Sequence, residues 1–300
     1  MKIVVTGGAG FIGSNLTDAL IDRGFEVHII DNLSGGKKEN LNPKAIFHEA
    51  DICNIDDIKP VIQGADYVFH LAALPRVQHS IEFPKETHDV NVTGTLNVLT
   101  ASNDAKVKKV IYSASSSAYG DQDKMPLVED MKASPKSPYG LHKYIGELYC
   151  RLWSEVYGLS TVSLRYFNVY GPRQSNEGAY ALVIAKFLKQ RIEGKPMTIT
   201  GDGEQTRDFT HVRDVVKANL LAMESEKVGK GEVINIGAGK KQSVNKIAQI
   251  IGGATEYVPA RFEPKNSLAD NSRAKELLGW IPEVKIEEGI KELKDLLGIK

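Results

Sequence analysis

Residues 4–13 read Val4-Val5-Thr6-Gly7-Gly8-Ala9-Gly10-Phe11-Ile12-Gly13, a β-branched run that leads directly into closely spaced glycines. This order predicts a strand, a tight turn and the start of a helix. In such a turn Gly7 permits the bend, Gly10 lets backbone N–H groups approach a pyrophosphate, and Gly13 allows close helix–strand packing. The helix N-terminus adds about half a positive charge beneath the phosphates. The segment therefore predicts a dinucleotide-binding turn; the alternative is that the glycines only form a turn.

Short β-branched runs alternate with helix-length segments through the first half of the chain. The runs predicted as strands cover residues 2–6, 26–31, 45–50, 67–71, 109–113 and 160–165. This alternation is typical of βαβ units and a parallel sheet. We therefore predict an α/β protein with a Rossmann-like, doubly wound parallel sheet.

The regular alternation ends after Gly171. Short strands, glycine-rich turns and the prolines Pro259 and Pro264 follow, a pattern that favours a smaller α+β lobe. A predicted helix over residues 212–223 and a strand over 232–237 return to the large sheet. The predicted dinucleotide-binding domain is residues 1–167 with 212–237. The predicted substrate lobe is residues 168–211 and 238–300.

The composition excludes several classes of protein. The 38 Lys and Arg residues balance 38 Asp and Glu residues, so binding of nucleic acid through general basic charge is not expected. No apolar run approaches the roughly 18–20 residues that span a bilayer. Cys53 and Cys150 cannot form a disulfide framework, and no histidine has metal-ligand spacing with another His or Cys. We expect a soluble cytoplasmic protein without a metal, a nucleic-acid partner or a membrane anchor.

The rest of the dinucleotide site is predicted from the ends of the following strands. Asp31 lies 18 residues after Gly13, where a carboxylate accepts hydrogen bonds from the adenosine ribose. A carboxylate there would repel a 2′-phosphate, so NAD is favoured over NADP as the cofactor. Two roles are open for Asn91: it could support the cofactor site as a buttress, or it could be an ordinary polar residue of a helix. The further predicted cofactor-binding residues are Phe11, Ile12, Asn32, Asp51, Ile52, Leu71, Ala72, Ala73 and Asn91.

Tyr139 and Lys143 are four residues apart and would lie on one face of a helix that Pro138 begins. A phenol with a pKa near 10 acts as a base at neutral pH only after a fall of about three units, or roughly 4 kcal/mol. One nearby cation supplies about one to three units, so Lys143 alone is borderline. The positive nicotinamide ring would supply the remainder, and we expect Tyr139 and Lys143 to contact the cofactor as well. Ser115, at the end of the fifth strand, can pass a proton between substrate and phenolate.

Several motifs together carry a resemblance to a known family. They are TGGAGFIGS (6–14), DNLSGGKKEN (31–40), SSSAYG (115–120), the YxxxK segment, LRYFNVYGP (164–172) and GDGEQTRDFTHVRDVV (201–216). In these motifs the chain resembles the extended short-chain dehydrogenase/reductases, and among them the UDP-glucose/UDP-galactose 4-epimerases. The resemblance spans nearly the whole chain.

The resemblance implies NAD-dependent epimerisation at C4 of a UDP-hexose through a transient 4-keto sugar. Another nucleotide-sugar epimerase or dehydrogenase of the same family remains the alternative. Two further alternatives are a dehydrogenase that releases its cofactor and a non-catalytic dinucleotide sensor. Ser116 and Ser117 stand where the dehydratases of this family have an acid pair, which disfavours dehydration.

The resemblance also implies the substrate residues. Asn168 and the two arginines Arg207 and Arg261 are expected to hold the sugar diphosphate, although the residues after Arg261 depart from the family pattern. Phe167 is expected beside the nicotinamide. Ser267 stands where an aromatic residue closes the sugar pocket in epimerases restricted to unsubstituted hexoses, so UDP-GlcNAc and UDP-GalNAc are expected as additional substrates. By analogy, helices over residues 87–101 and 139–157 would form a homodimer interface. For Tyr149, Leu152 and Val156, a place in this interface and a place in the intramolecular core are both open.

Overall fold

The structure is a computed structural model that describes residues 1–175, 182–260 and 266–299. The strands in these residues are β1 (Lys2–Thr6), β2 (Glu26–Asp31), β3 (Ile46–Glu49), β4 (Tyr67–His70), β5 (Lys109–Ser115), β6 (Thr161–Tyr166), β7 (Val169–Tyr170), β8 (Met197–Thr200), β9 (Thr206–Asp208), β10 (Thr210–His211), β11 (Lys230–Ile236), β12 (Lys241–Ser243) and β13 (Thr255–Val258). The helices are α1 (Phe11–Asp22), α2 (Ile55–Ile62), α3 (Val77–Glu82), α4 (Pro84–His88), α5 (Gly94–Asp104), α6 (Pro138–Leu152), α7 (Val183–Ile192), α8 (Val212–Glu224), α9 (Val244–Ile251), α10 (Ser272–Leu278) and α11 (Ile286–Leu296).

Seven strands form one parallel sheet in the order β11-β6-β5-β4-β1-β2-β3. After β1 the chain adds β2 and β3 on one side of β1, and it then crosses over to add β4 on the other side. The strand order therefore reverses between β1 and β4, the point at which open α/β sheets bind ligands. The doubly wound α/β fold predicted from the sequence is confirmed.

The sheet is buried on both faces because helices cover each of them. Successive side chains of a strand point to opposite faces. Accordingly, Ile3 and Val5 pack in the cluster that contains α1 and α8, while Val4 packs with Val98 and Leu99 of α5. This explains why the strands read as continuous apolar runs rather than alternating ones.

A separate apolar cluster forms beyond residue 168. Phe187 of α7, Ile199 of β8 and Ile247 and Ile251 of α9 pack there, next to three two-stranded sheets: β7–β10, β8–β13 and β9–β12. By contrast, β11 pairs with β6 and continues the central sheet. The chain thus leaves the large sheet and comes back to it, while the division into two functional lobes stays a prediction.

The two predicted long helices are interrupted in the structure. Residues 87–101 include the end of α4, a π-helical turn at Asp89–Thr93 and most of α5, and α6 continues into a π-helical turn at Trp153–Tyr157. Periodicity alone does not reveal an added residue per turn. The first π turn contains Asn91, whose side chain has a partner outside the helix. Among the described residues, none of the helices combines the length and apolarity needed to cross a bilayer.

Candidate active site

A cavity of about 890 Å³ opens at the carboxyl ends of the central strands and extends to the smaller sheets. Its walls come from the β1–α1 turn, the segments after β2 to β6, and residues of α7, β8 and β9. This size is in the range of ligand-binding cavities. Within the described ranges, no cluster of three or more His, Cys, Asp or Glu side chains could hold a metal ion.

The β1–α1 turn has room only for glycine at its tightest points. Gly7 has a φ of +74°, and a Cβ there would lie 2.7 Å from the backbone nitrogen of Ala72. At Gly13 a Cβ would lie 2.1 Å from the carbonyl oxygen of Gly7. No side chain caps the N-terminus of α1, and its first turn has no acidic residue. A phosphate can therefore approach the helix N-terminus without competing with a carboxylate.

Asp31 joins the glycine turn to the end of β2. Its carboxylate accepts hydrogen bonds from the backbone N–H groups of Ala9 at 3.0 Å and Leu33 at 2.8 Å. Burial raises the pKa of Asp31, while these two hydrogen bonds lower it. The carboxylate thus has a fixed orientation, and its remaining lone pairs can accept hydrogen bonds from a ribose diol.

Asn32, Asp51 and Ile52 line the cavity near the carboxyl ends of β2 and β3. The Asn32 amide donates to the Asp51 carboxylate at 3.1 Å, and the backbone N–H of Cys53 donates to it at 2.8 Å. Burial acts to raise the pKa of Asp51, but these hydrogen bonds leave it below its usual value. Ile52 adds an apolar surface beside this carboxylate.

The segment after β4 is fixed by hydrogen bonds to side chains that do not line the cavity. Asn91 accepts a hydrogen bond from the Leu74 N–H at 2.8 Å and donates one to the Leu74 carbonyl at 3.0 Å. The Thr6 hydroxyl accepts from the Ala72 N–H at 3.2 Å and is also hydrogen-bonded to Nδ1 of His70 at 2.7 Å. Burial lowers the pKa of His70 to about 3, which keeps the ring neutral. Small residues at the cavity wall are thereby fixed by buried polar groups.

Helix α6 begins at the cavity with two serine contacts. The Ser137 hydroxyl accepts a hydrogen bond from the Gly140 N–H at 3.1 Å, and the Ser80 hydroxyl accepts one from the Tyr139 N–H at 3.0 Å. Pro138 occupies the first helical position, where its missing N–H costs nothing. These contacts place Tyr139 and Lys143 on the cavity side of the helix.

Ser115, Tyr139 and Lys143 line the same part of the cavity. Burial raises the pKa of Tyr139, and a hydrogen bond with Ser115 opposes this effect. Burial also lowers the pKa of Lys143 to about 8, and its ammonium donates to the Ser113 carbonyl at 2.8 Å. The sequence predicted that Lys143 itself lowers the pKa of Tyr139. In the protein alone, burial and the Ser115 hydrogen bond are the two effects on the pKa of Tyr139, and burial is the larger.

Asn168 and Arg207 line the part of the cavity that follows β6 and includes β9. Asn168 has a φ of +32°, in the left-handed region that asparagine tolerates better than most residues. Its amide donates to the Asp208 carbonyl at 3.0 Å and to the Ser267 hydroxyl at 3.3 Å. The Asp208 carboxylate in turn accepts the N–H groups of Ala238, Gly239 and Ala269 at 2.9 to 3.0 Å. These contacts fix three separate segments around Asn168.

Comparison with known proteins agrees with this geometry. Residues 3–237 match the model of the family described as "NAD dependent epimerase/dehydratase family". The chain belongs to this family. NAD is its cofactor, and the glycine turn, the uncapped helix N-terminus and Asp31 fit that dinucleotide.

Solved structures of family members are similar over nearly the whole chain. A UDP-glucose 4-epimerase from Thermotoga maritima, solved with UDP-glucose, is 42% identical with a TM-score of 0.93, covering 99% of this chain and 100% of that one. A UDP-N-acetylglucosamine 4-epimerase from Methanobrevibacter ruminantium, in complex with UDP-N-acetylmuramic acid, is 40% identical with a TM-score of 0.93, covering 98% of each chain. A UDP-glucuronic acid 4-epimerase from Bacillus cereus, with UDP-glucuronic acid and NAD, is 36% identical with a TM-score of 0.91, covering 99% of each chain.

Most residues predicted for the site of this family member line the cavity. They are Gly7, Gly10, Phe11, Ile12, Gly13, Asp31, Asn32, Asp51, Ile52, Leu71, Ala72, Ala73, Ser115, Tyr139, Lys143, Asn168 and Arg207. Arg261 lies outside the described residues. The location in the cavity supports a role for each residue, and the individual roles stay predictions.

Three predicted site residues do not line the cavity. Phe167 is fully buried with Tyr119, Leu127 and Ala269, because side chains alternate along an extended segment and its neighbours Tyr166 and Asn168 take the cavity side. Asn91 supports Leu74 from behind, so of its two interpretations the buttress is the one observed. Ser267 is partly buried against Asn168 rather than in the cavity wall.

The cavity also contains residues that sequence reasoning missed. Arg76 and Gln78 lie in the segment after β4, and Arg173 has a φ of +68° and pairs with Asp18 at 2.7 Å. Ser117 accepts a hydrogen bond from the Ser115 hydroxyl at 3.1 Å. The rule that strand carboxyl ends face the ligand could have identified Arg76 and Gln78. Arg173 is not signalled by the sequence, since its position depends on a distant helix.

Proposed function

We propose that the protein interconverts UDP-hexoses by epimerisation at C4 through a transient 4-keto sugar. The observation that carries this proposal is the placement of Ser115, Tyr139 and Lys143 in one cavity that continues from the dinucleotide turn to Asn168 and Arg207. A cofactor and a second nucleotide can therefore meet at one proton-transferring tyrosine. The cytoplasmic location stays a prediction.

The chemistry assigned to the protein is proton transfer and substrate positioning. Tyr139 takes the proton of the C4 hydroxyl with assistance from Ser115 and later returns it. Lys143, one helical turn away, favours the phenolate. Arg207 and Asn168 hold the diphosphate and sugar, for which a guanidinium is suited by its forked donors. NAD⁺, which the glycine turn and Asp31 would hold, would supply reversible hydride transfer at C4 and a positive charge that favours the phenolate.

Loss of water from the sugar is disfavoured by the residues beside Ser115. Elimination needs an additional acid–base group at the reacting carbon. Ser116 and Ser117 occupy the following positions, and the hydroxyl of Ser117 is already engaged with Ser115. The arrangement supports reversible oxidation and reduction at C4 without dehydration.

The proposed activity is tested by incubating the purified protein with UDP-galactose and determining the stereochemistry of the product. The expected result is UDP-glucose with no net reduction of NAD. Steady accumulation of reduced NAD would instead indicate the dehydrogenase alternative. Failure to convert UDP-galactose, UDP-GalNAc and UDP-glucuronic acid alike would contradict epimerisation of UDP-hexoses.

A homodimer formed through α6 is a further part of this proposal. Leu141, Leu148, Leu152 and Val156 are large apolar residues exposed on or just beyond this helix, and they recur at helical spacing. Such a continuous apolar stripe is unfavourable in water. Tyr149 instead packs partly inside the protein, at right angles to the ring of Trp153. A second copy of the chain would cover the four aliphatic side chains.

A further inference from the structure

A buried ion pair lies behind the cavity and does not line it. The Arg165 guanidinium donates from Nε and Nη2 to the two carboxylate oxygens of Glu147, at 2.8 and 2.7 Å. The side chains are only 4% and 2% exposed. A forked pair of this kind fixes the relative orientation of both partners. Because charges are costly to bury, its presence beside an active site calls for a function.

Glu147 extends the catalytic row of α6. Tyr139, Lys143 and Glu147 follow one another at intervals of four residues, which places them on one face of the helix. The phenol of Tyr139, the ammonium of Lys143 and the carboxylate of Glu147 therefore lie in one row along the helix. Any rotation of α6 that moves Tyr139 also strains the fork with Arg165.

Arg165 connects that helix to the segment that carries Ser115. Its guanidinium carbon lies 4.5 Å from the centre of the Tyr119 ring, a cation–π contact. The Tyr119 backbone N–H donates to Ser116, and its hydroxyl donates to Asn235 at 2.7 Å. Asn235 in turn donates to the carbonyls of Leu127 and Asp270.

We propose that Glu147 and Arg165 are positioning residues that hold the α6 row and the Ser115–Tyr119 turn in register for proton transfer, an inference that rests on the proposed epimerase activity. Neither residue touches the reacting atoms. Glu147 also supplies a carboxylate on the same helix as Lys143. Burial raises the pKa of this carboxyl group, and its pairing with Arg165 opposes that effect.

The groups around Lys143 define the expected pH effect. They are Glu147 and Cys150 on α6, Tyr112 and the Ser113 carbonyl on β5, His70 on β4, and Tyr139. His70 is neutral, and burial raises the pKa of the Cys150 thiol to about 12. Burial is the largest effect on the pKa of Lys143; Cys150 and Glu147 both raise this pKa, and of the two Glu147 is the carboxylate. Without it, Lys143 loses its proton at a lower pH.

Two variants test the pair. Glu147→Met combined with Arg165→Met removes both charges, and such apolar replacements of buried pairs often fold well. Arg165→Lys keeps the charge but loses the fork. Both are expected to retain NAD and a cooperative thermal transition, while kcat with UDP-galactose falls about 10- to 100-fold and KM changes little. The alkaline limb of the kcat profile of the double variant should move to lower pH.

Lys109→Met is the matched control, since it removes another buried ammonium, one that caps the end of α8 at the opposite end of β5. It is expected to lower stability without lowering kcat. Unchanged kcat and pH profile in both test variants would overturn the inference, and if the double variant does not fold, Arg165→Lys alone decides. An inactive wild-type protein would instead refute the proposed function.

Discussion

Tyr139 lies in surroundings that disfavour its anion, because burial raises the pKa of its phenol. Tyr139→Phe keeps the ring and removes the oxygen that transfers the proton. We expect kcat with UDP-galactose to fall about 10²- to 10⁴-fold, the usual contribution of a general acid–base group, with NAD still bound. Tyr144→Phe on the same helix is the control. Epimerisation at the wild-type rate by Tyr139→Phe would contradict the proposed chemistry.

Lys143 carries a charge at a buried position, and this has a cost in stability. Burial lowers its pKa from 10.5 to about 8, which corresponds to about 3 kcal/mol. Between these values the unfolded chain binds a proton that the folded protein does not, so the free energy of unfolding rises with pH from about 8 to about 10.

Lys143→Met should remove that rise and stabilise the protein by about 1–3 kcal/mol at pH 7, while activity is lost. Denaturant unfolding of both proteins at a series of pH values measures the difference. The same dependence on pH in wild type and variant would show that another group is responsible.

Ser267 contacts Asn168, so a larger side chain at this position would act on the substrate side through a residue of the cavity. We expect Ser267→Tyr to suppress turnover of UDP-GalNAc more than turnover of UDP-galactose, because the N-acetyl group needs additional space. The ratio of kcat/KM for the two substrates is the measurement, with Ser272→Ala as the control. An equal loss on both substrates would refute the argument from space.

The β1–α1 turn is the element that decides cofactor binding. A Cβ at residue 13 would lie 2.1 Å from the Gly7 carbonyl oxygen, within a turn that cannot shift without moving the helix N-terminus. Gly13→Ala is therefore expected to cost about 1–3 kcal/mol of stability and to abolish retention of NAD. Absorbance of the purified protein reports the bound cofactor. Asp22→Ala, at the exposed end of α1, should retain it, and a Gly13→Ala protein with a full complement of NAD would contradict this account.

Association of two chains is a property of the whole molecule. Leu148→Glu with Leu152→Glu places two charges in the exposed stripe of α6, and a carboxylate without a partner is strongly disfavoured in an interface. We expect the double variant to be monomeric in sedimentation experiments, whereas Leu296→Glu, at a more exposed position on α11, should not change the wild-type state. A monomeric wild-type protein would exclude the proposed dimer.

Local sequence determined the parts of this protein that depend on neighbours along the chain. The glycine turn, the parallel strands, the start of α6 at Pro138 and the pairing of Tyr139 with Lys143 each follow from spacing within a few residues, which sets backbone geometry directly. In open α/β sheets, ligands bind at the carboxyl ends of the strands, and this rule predicted that Ser115 and Asp31 lie at the same cavity.

Tertiary structure alone decided the contacts between distant segments. Phe167 points into the protein because Tyr166 and Asn168 take the cavity side. Asn91, within a π turn, is hydrogen-bonded to Leu74, and Arg165 pairs with Glu147, eighteen residues away along the chain. Such contacts depend on how segments that are distant in sequence pack together, and no local pattern gives the direction in which a side chain then points. For the same reason the charge balance around Tyr139 could be judged only once its burial was known.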